Sequence, residues 1–193
     1  MRGYFGIGVE GISKQMNVGS LLRSAHAFGA SFVFTVAAAY ERHEGSLSDT
    51  SDAMRHLPFY SFPDVESMVL PEGCPLVGVE LLDEAVGLPS FHHPKRAAYV
   101  FGPERGRLSA ALVGCCAHVV RIPTRFSLNV GMAGAIVMYD RLVSLGRFPG
   151  RPVVAGGPVE ALPGHVFGEP RFRTRAAPFR ANLPPMAGRD DEE

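Results

Sequence analysis

Residues 4–11 read Tyr4-Phe5-Gly6-Ile7-Gly8-Val9-Glu10-Gly11, and the fold depends on what Gly6, Gly8 and Gly11 do there. Their spacing matches the phosphate-binding turn of dinucleotide folds, in which the glycines follow a strand and open a helix. Here Gly6 and Gly8 fall inside an apolar run, and the first helical pattern begins only behind Asn17. No Asp or Glu stands between Glu10 and Glu41 to hold a ribose about 20 residues on. The glycines therefore read as strand residues crowded by close neighbours, and a nicotinamide or flavin dehydrogenase is set aside.

Working outward, short and nearly continuous apolar runs recur at Tyr4 to Val9, Phe32 to Val36, Leu76 to Glu80, Ala97 to Phe101 and His118 to Ile122. Runs of that kind suit strands buried on both faces. Helical patterns lie between them, which predicts an α/β fold, a parallel sheet flanked by helices. Val18, Leu21, Leu22, Ala25 and Phe28 keep helical spacing behind Asn17, read as the N-cap, and ahead of Gly29. A second helix is expected from about Val130 to Leu145, between Asn129 and Gly146, with Gly131, Ala133, Gly134 and Ala135 in its first turns. Small residues let another backbone or a ligand come close. Residues 37–57 show no period and read as a long surface loop.

The 193 residues allow one domain. Residues 1–148 carry the pattern; in residues 149–193 Pro, Gly and Arg replace it, which predicts a disordered tail. Hydrophobic residues make up 46% and charged residues 20%, a composition that excludes intrinsic disorder for the whole chain. Nineteen Lys and Arg balance nineteen Asp and Glu, so net charge gives no sign of a partner, although residues 41–94 sum to minus eight and residues 95–150 to plus six. No apolar run approaches the roughly 18 residues of a membrane helix, and the start lacks the apolar stretch of a signal peptide. A cytoplasmic address with no membrane partner is the expectation. Cys74, Cys115 and Cys116 fit no disulfide or zinc spacing, and the seven His residues show none for a metal either.

Three polar segments stand at strand ends or helix starts. The first, Asn17-Val18-Gly19-Ser20-Leu21-Leu22-Arg23, puts Arg23 nearly opposite the apolar stripe; alone it reads as a solvated helix residue. The second, Phe101-Gly102-Pro103-Glu104-Arg105-Gly106-Arg107-Leu108-Ser109, follows a buried strand with a Gly-rich turn, where ligands of parallel sheets bind. Ser109 there can cap a helix, and Glu104 can be an ordinary turn residue. The third, Ile122-Pro123-Thr124-Arg125-Phe126-Ser127-Leu128-Asn129, leads from a strand into the last helix, which Ser127 or Asn129 can cap.

In order and together, these segments resemble the SpoU (TrmH-type) branch of the SPOUT superfamily, the RNA ribose 2′-O-methyltransferases with a C-terminal trefoil knot. The resemblance covers roughly residues 3–146. The family's first motif is matched by Asn17 and Arg23, its second by Gly102 and Glu104, its third by Ile122, Pro123, Ser127, Leu128 and Asn129. Arg107 stands where many members have Gly, and the connection from Pro123 to Ser127 is shorter than in many. The resemblance implies a cofactor, S-adenosyl-L-methionine, held in the knot by Gly102, Ile122, Leu128 and Val79. It implies that Arg23 acts at the reacting ribose, that Asn17, Ser127 and Asn129 orient it and the nucleotide, and that Glu104 holds the loop or the arginine. No metal is implied. A guanidinium stays protonated in proteins, so Arg23 reads as a clamp for phosphate and developing alkoxide, or as a base only in an unusual environment. The implied partners are RNA, transfer RNA ahead of ribosomal RNA, and a second copy in a homodimer. Two alternatives stand beside this reading: a SPOUT enzyme methylating a base nitrogen, of the guanine N1 type, and a non-catalytic RNA-binding module.

Overall fold

The computed structural model describes residues 3–38, 56–103, 106–146, 148 and 155–156. In chain order the elements are β1 (Tyr4–Glu10), α1 (Gln15–Ala27), β2 (Phe32–Val36), β3 (Phe59–Phe62), β4 (Leu76–Val79), β5 (Val86–Gly87), a 3₁₀ turn (Leu88–Ser90), β6 (Arg96–Phe101), α2 (Ala110–Cys115), β7 (His118–Arg121) and α3 (Val130–Leu145). The strands form one seven-stranded sheet in the order β3-β2-β1-β6-β4-β7-β5, and its pairings are parallel. The expected α/β class with a parallel sheet flanked by helices is what the chain adopts. Most of the proposed long loop, residues 39–55, and nearly all of the proposed tail lie outside the described residues. No described helix is long and apolar enough to cross a membrane.

Both faces of the sheet are covered, which explains the continuous apolar strands. Phe5, Ile7 and Val9 of β1 and Ala97, Tyr99 and Phe101 of β6 share one core with Val18, Leu21, Leu22 and Ala25 of α1 and Val130, Ala133 and Val137 of α3. The opposite face carries Phe32, Phe34, Val36, Tyr60, Phe62, Ala98 and Val100, closed by Leu108 and Leu112. Gly6 and Gly8 belong to this second face. Gly6 pairs with Phe32 and Gly8 with Phe34 across the β1–β2 ladder. A Cβ on Gly6 would lie 2.1 Å from the Phe32 ring, and one on Gly8 2.5 Å from the Phe34 ring. The glycines are strand residues beneath aromatic rings, as their position in the apolar run implied.

One helix start differs from expectation. Asn17 is not the N-cap of α1: the helix begins two residues earlier, behind Lys14, whose side chain makes no cap bond. Backbone N–H groups of Asn17 and Val18 reach the Lys14 carbonyl instead, and the Asn17 amide is left for another partner, described below. The end of α1 is as expected. Gly29 takes φ +72°, and Ala30 N–H bonds back to the Ala25 carbonyl at 2.8 Å, a left-handed stop suited to glycine.

The small residues at the start of α3 are occupied by α1. A Cβ on Gly131 would lie 2.8 Å from Ser20 Cβ, and one on Gly134 2.3 Å from Leu21 Cδ1. Further along α3, Arg141 is buried to 1% exposure. Its guanidinium donates to the carbonyls of Pro94 and Lys95, the latter at 2.8 Å, and lies 5.2 Å from the centroid of the Phe5 ring. Beside it, His93 bridges Asp140 at 2.8 Å and the Tyr99 hydroxyl at 2.7 Å; burial holds the imidazole below its ordinary pKa.

Gly8→Val is expected to cost about 1 to 3 kcal/mol, because the Phe34 ring must shift to admit the side chain. Gly114→Ala is the contrast: nothing lies within 4 Å of its Cβ position, and a helical Gly to Ala change gains up to about 1 kcal/mol. Denaturant unfolding midpoints check both, and equal losses would contradict the packing described.

Candidate functional site

β1, β6 and β4 lie side by side and end together, with Val9 and Val79 both in register with Phe101. Their carboxyl ends open a crevice where ligands of parallel sheets are received. A cavity of about 150 Å³ occupies it. Val79, Glu80 and Leu81 form one wall, Phe101, Gly102, Pro103 and Gly106 a second, and Ile122, Thr124, Ser127 and Leu128 a third, with Val130 and Ala133 of α3 at the base. Val79, Gly102, Ile122 and Leu128, the four residues expected to hold the cofactor, thus face one space. Thr124 tightens the third wall: its N–H bonds to the Ile122 carbonyl at 2.7 Å and its hydroxyl to the Phe126 carbonyl at 2.9 Å.

The loop after β6 is held by two carboxylates from neighbouring strands. Glu10, at the end of β1, accepts the N–H of Ser109 at 2.7 Å. Glu80, just past β4, accepts the N–H of Leu108 at 2.8 Å and of Leu81 at 2.8 Å. Ser109 in turn caps α2 by accepting the Leu112 N–H. Gly102 is needed where this loop folds back, since a Cβ there would meet Leu108 N at 3.0 Å and Glu80 Oε2 at 3.2 Å. Neither carboxylate stands out in the sequence, because the N–H groups of the loop after β6 that they hold, Ser109 and Leu108, lie 99 and 28 positions away. Their only local sign is an acidic residue at a strand's carboxyl end. Glu104, expected to hold the loop, lies outside the described residues. Arg107 is exposed, so a side chain at a position often occupied by Gly is accommodated.

The polar residues expected at the reaction centre divide. Ser127 is exposed and lines the cavity. Asn129 caps α3, its Oδ1 accepting the Gly131 N–H at 2.9 Å, while its Nδ2 donates to Asn17 Oδ1 at 2.8 Å. This pairing explains why Asn17 does not cap its own helix. Arg23 is exposed on α1 and is not part of the cavity wall. Among the described lining residues Glu80 is the single ionisable side chain. Apolar walls, close backbone and a carboxylate make a slot for a flat, partly apolar ligand carrying positive charge.

The model of the SpoU rRNA Methylase family matches residues 5–139. Similar solved structures include the SpoU methyltransferase AviRb from Streptomyces viridochromogenes in complex with the cofactor AdoMet, at 25% identity and TM-score 0.65, covering 76% of this chain and 60% of that one. An AdoMet-bound rRNA methyltransferase from Sinorhizobium meliloti matches at 20% identity and TM-score 0.68, covering 76% and 59%. A structure concerned with 2-OH methylation of C/U34 on tRNA matches at 18% identity and TM-score 0.63, covering 74% and 91%. The chain thus spans about three fifths of the length of the first two. No curated protein matches the sequence closely enough to count as a relative.

Replacing Asn129 separates its two contacts. Asn129→Ala removes the cap and is expected to cost about 1 kcal/mol. Asn129→Asp keeps the acceptor for the Gly131 N–H but not the donor to Asn17, so it should recover most of that stability. Thermal melting checks the pair; equal losses would mean that the cap is not what Asn129 contributes.

Proposed function

The chain belongs to the SpoU rRNA Methylase family, and from that membership we propose that it transfers a methyl group from S-adenosyl-L-methionine to a ribose 2′-hydroxyl of RNA, transfer RNA ahead of ribosomal RNA. One observation carries the reading: Val79, Gly102, Ile122 and Leu128, from three separate segments, line a single cavity at the carboxyl ends of the central strands. The cofactor, when bound, supplies an electrophilic methyl on a sulfonium. Ile122, Leu128 and Val79 would offer a dry slot for its adenine, the loop after Gly102 would offer backbone groups, and Glu80 would offset its positive charge.

The remaining work falls to polar groups at the rim. In the transfer the methyl carbon would bond to the 2′-oxygen as its bond to sulfur breaks, leaving a neutral thioether, and the hydroxyl proton would pass to solvent water at the open rim. Arg23 binds the adjacent phosphate and the developing alkoxide, a bidentate clamp that also positions the ribose. Asn17, Ser127 and Asn129 orient the arginine and the nucleotide, and Glu104 supports the loop. The trefoil knot belongs to the same reading. Its support is that β7 lies beyond β4 in the sheet while α3, which follows it, packs on α1 beside β1, so residues 122–129 must pass back along the loop after β6.

Arg23 does not line its own chain's cavity, which favours a homodimer in which two copies complete the RNA site. The small-residue face of α3 is occupied by α1, so the dimer contact belongs to another face of α3, where Met132, Tyr139 and Val143 are exposed in one stripe. The carboxyl-terminal residues 149–193 stay a separate segment in this reading, and the cytoplasm is its expected place.

Arg23→Ala should lower turnover by about 100-fold or more, as loss of a group stabilising transition-state charge does, with cofactor affinity nearly unchanged; turnover within about threefold of wild type contradicts the role. Mass analysis of digested RNA product should find the methyl on ribose. Methyl on a base favours the guanine N1 alternative, and RNA affinity without cofactor binding favours the non-catalytic one. Sedimentation should show a dimer at micromolar concentration that Tyr139→Arg dissociates. A fully active monomer rejects it.

A further inference from the structure

We propose that Glu80 is a positioning residue of the cofactor cavity that ties two of its walls together and discriminates the charged cofactor from its uncharged-sulfur product. The inference rests on the reading of the cavity as the S-adenosylmethionine site. β4 ends at Val79, and the Glu80 N–H continues the ladder to the Val120 carbonyl at 3.0 Å, so the backbone carrying the carboxylate is fixed. One oxygen accepts the Leu81 N–H and the other the Leu108 N–H, each at 2.8 Å. The first belongs to the loop after β4 and the second to the loop after β6, so one side chain joins both. A Cβ on Gly102 would approach Glu80 Oε2 to 3.2 Å, which leaves no room for a side chain between carboxylate and loop.

Two N–H donors do not saturate a carboxylate, whose two oxygens offer about four acceptor directions. Glu80 also lines the cavity, and it is the single ionisable side chain among the described residues that do so. S-adenosylmethionine carries a sulfonium and an ammonium against one carboxylate. After transfer the thioether is neutral and one positive charge is gone. A fixed anion in the wall therefore holds the cofactor more firmly than the product, and its hold weakens at the step after which the product must leave. Glu10 provides an internal comparison. It grips the same loop through the Ser109 N–H at 2.7 Å but is not part of the cavity wall, so it shares the clamp without the discrimination.

Calorimetric titration of the full chain with S-adenosylmethionine and with S-adenosylhomocysteine tests this. Glu80→Gln should weaken the charged ligand by about tenfold, the scale of one charge pair at an effective dielectric near 20 with partial solvent screening, and the neutral-sulfur ligand much less. Glu80→Asp, which keeps the charge, should hold the affinity ratio near that of wild type. Glu10→Gln should weaken both ligands by the same factor. If Glu80→Gln does not fold, Glu80→Ser gives the same readout. A ratio in the neutral variants within about twofold of wild type overturns the proposal, even where both affinities fall, because that is what loop damage alone produces. Failure of wild type to bind either ligand instead removes the reading of the cavity itself, and the proposal with it.

Discussion

Arg141 fixes the last helix, and the cavity depends on where that helix lies. Its buried guanidinium satisfies the carbonyls of Pro94 and Lys95 at the entrance to β6 and stands over the Phe5 ring of β1. A cation so placed is tolerable because both terminal nitrogens meet fixed carbonyl oxygens, although its Nε is buried without a partner among the described residues. Toward the other end of the helix, Gly131 and Gly134 bring its backbone onto Ser20 and Leu21. Held at both places, α3 has no freedom to slide, and residues 122–129 must span from β7 to its first turn. That span is the third wall of the cavity. A helix tied at its far end to the sheet thus sets the position of Ile122, Ser127 and Leu128, which sit at the opposite end of the strands.

The sheet's interior was legible because its chemistry is local. Strands such as Phe32–Val36 are buried on both sides and so read as unbroken apolar runs. β3 was less visible, since Ser61 interrupts Phe59, Tyr60 and Phe62 and an aperiodic stretch precedes it; β5, two residues long, leaves no pattern at all. The Asn17 amide shows the limit of local rules. Its sequence context is that of a helix cap, yet a partner 112 positions away takes the side chain, and a cap assignment made from neighbours alone cannot weigh that competition.

The candidate site divides in the same way. Gly102, Ile122 and Leu128 announced themselves through motifs that are contiguous in sequence, whereas Glu10 and Glu80 act on backbone groups far along the chain and carry no motif. The structure nevertheless gives the carboxylates as large a part as the glycine: Gly102 permits the close return of the loop, and the carboxylates hold it there. The functional reading draws on both. One chain supplies an apolar slot with an anionic edge, while Arg23 stands outside that slot, so the proposed function assigns cofactor and RNA to different surfaces.

Hydrogen–deuterium exchange with and without S-adenosylmethionine tests the central claim most directly, because it reports where the cofactor sits without requiring an RNA substrate. Binding should slow exchange in residues 79–81, 101–103, 106–108 and 122–133, the three walls and the base of the cavity, and leave residues 59–62 unchanged. No slowing in those segments at saturating cofactor, or slowing confined to other parts of the chain, would contradict the account.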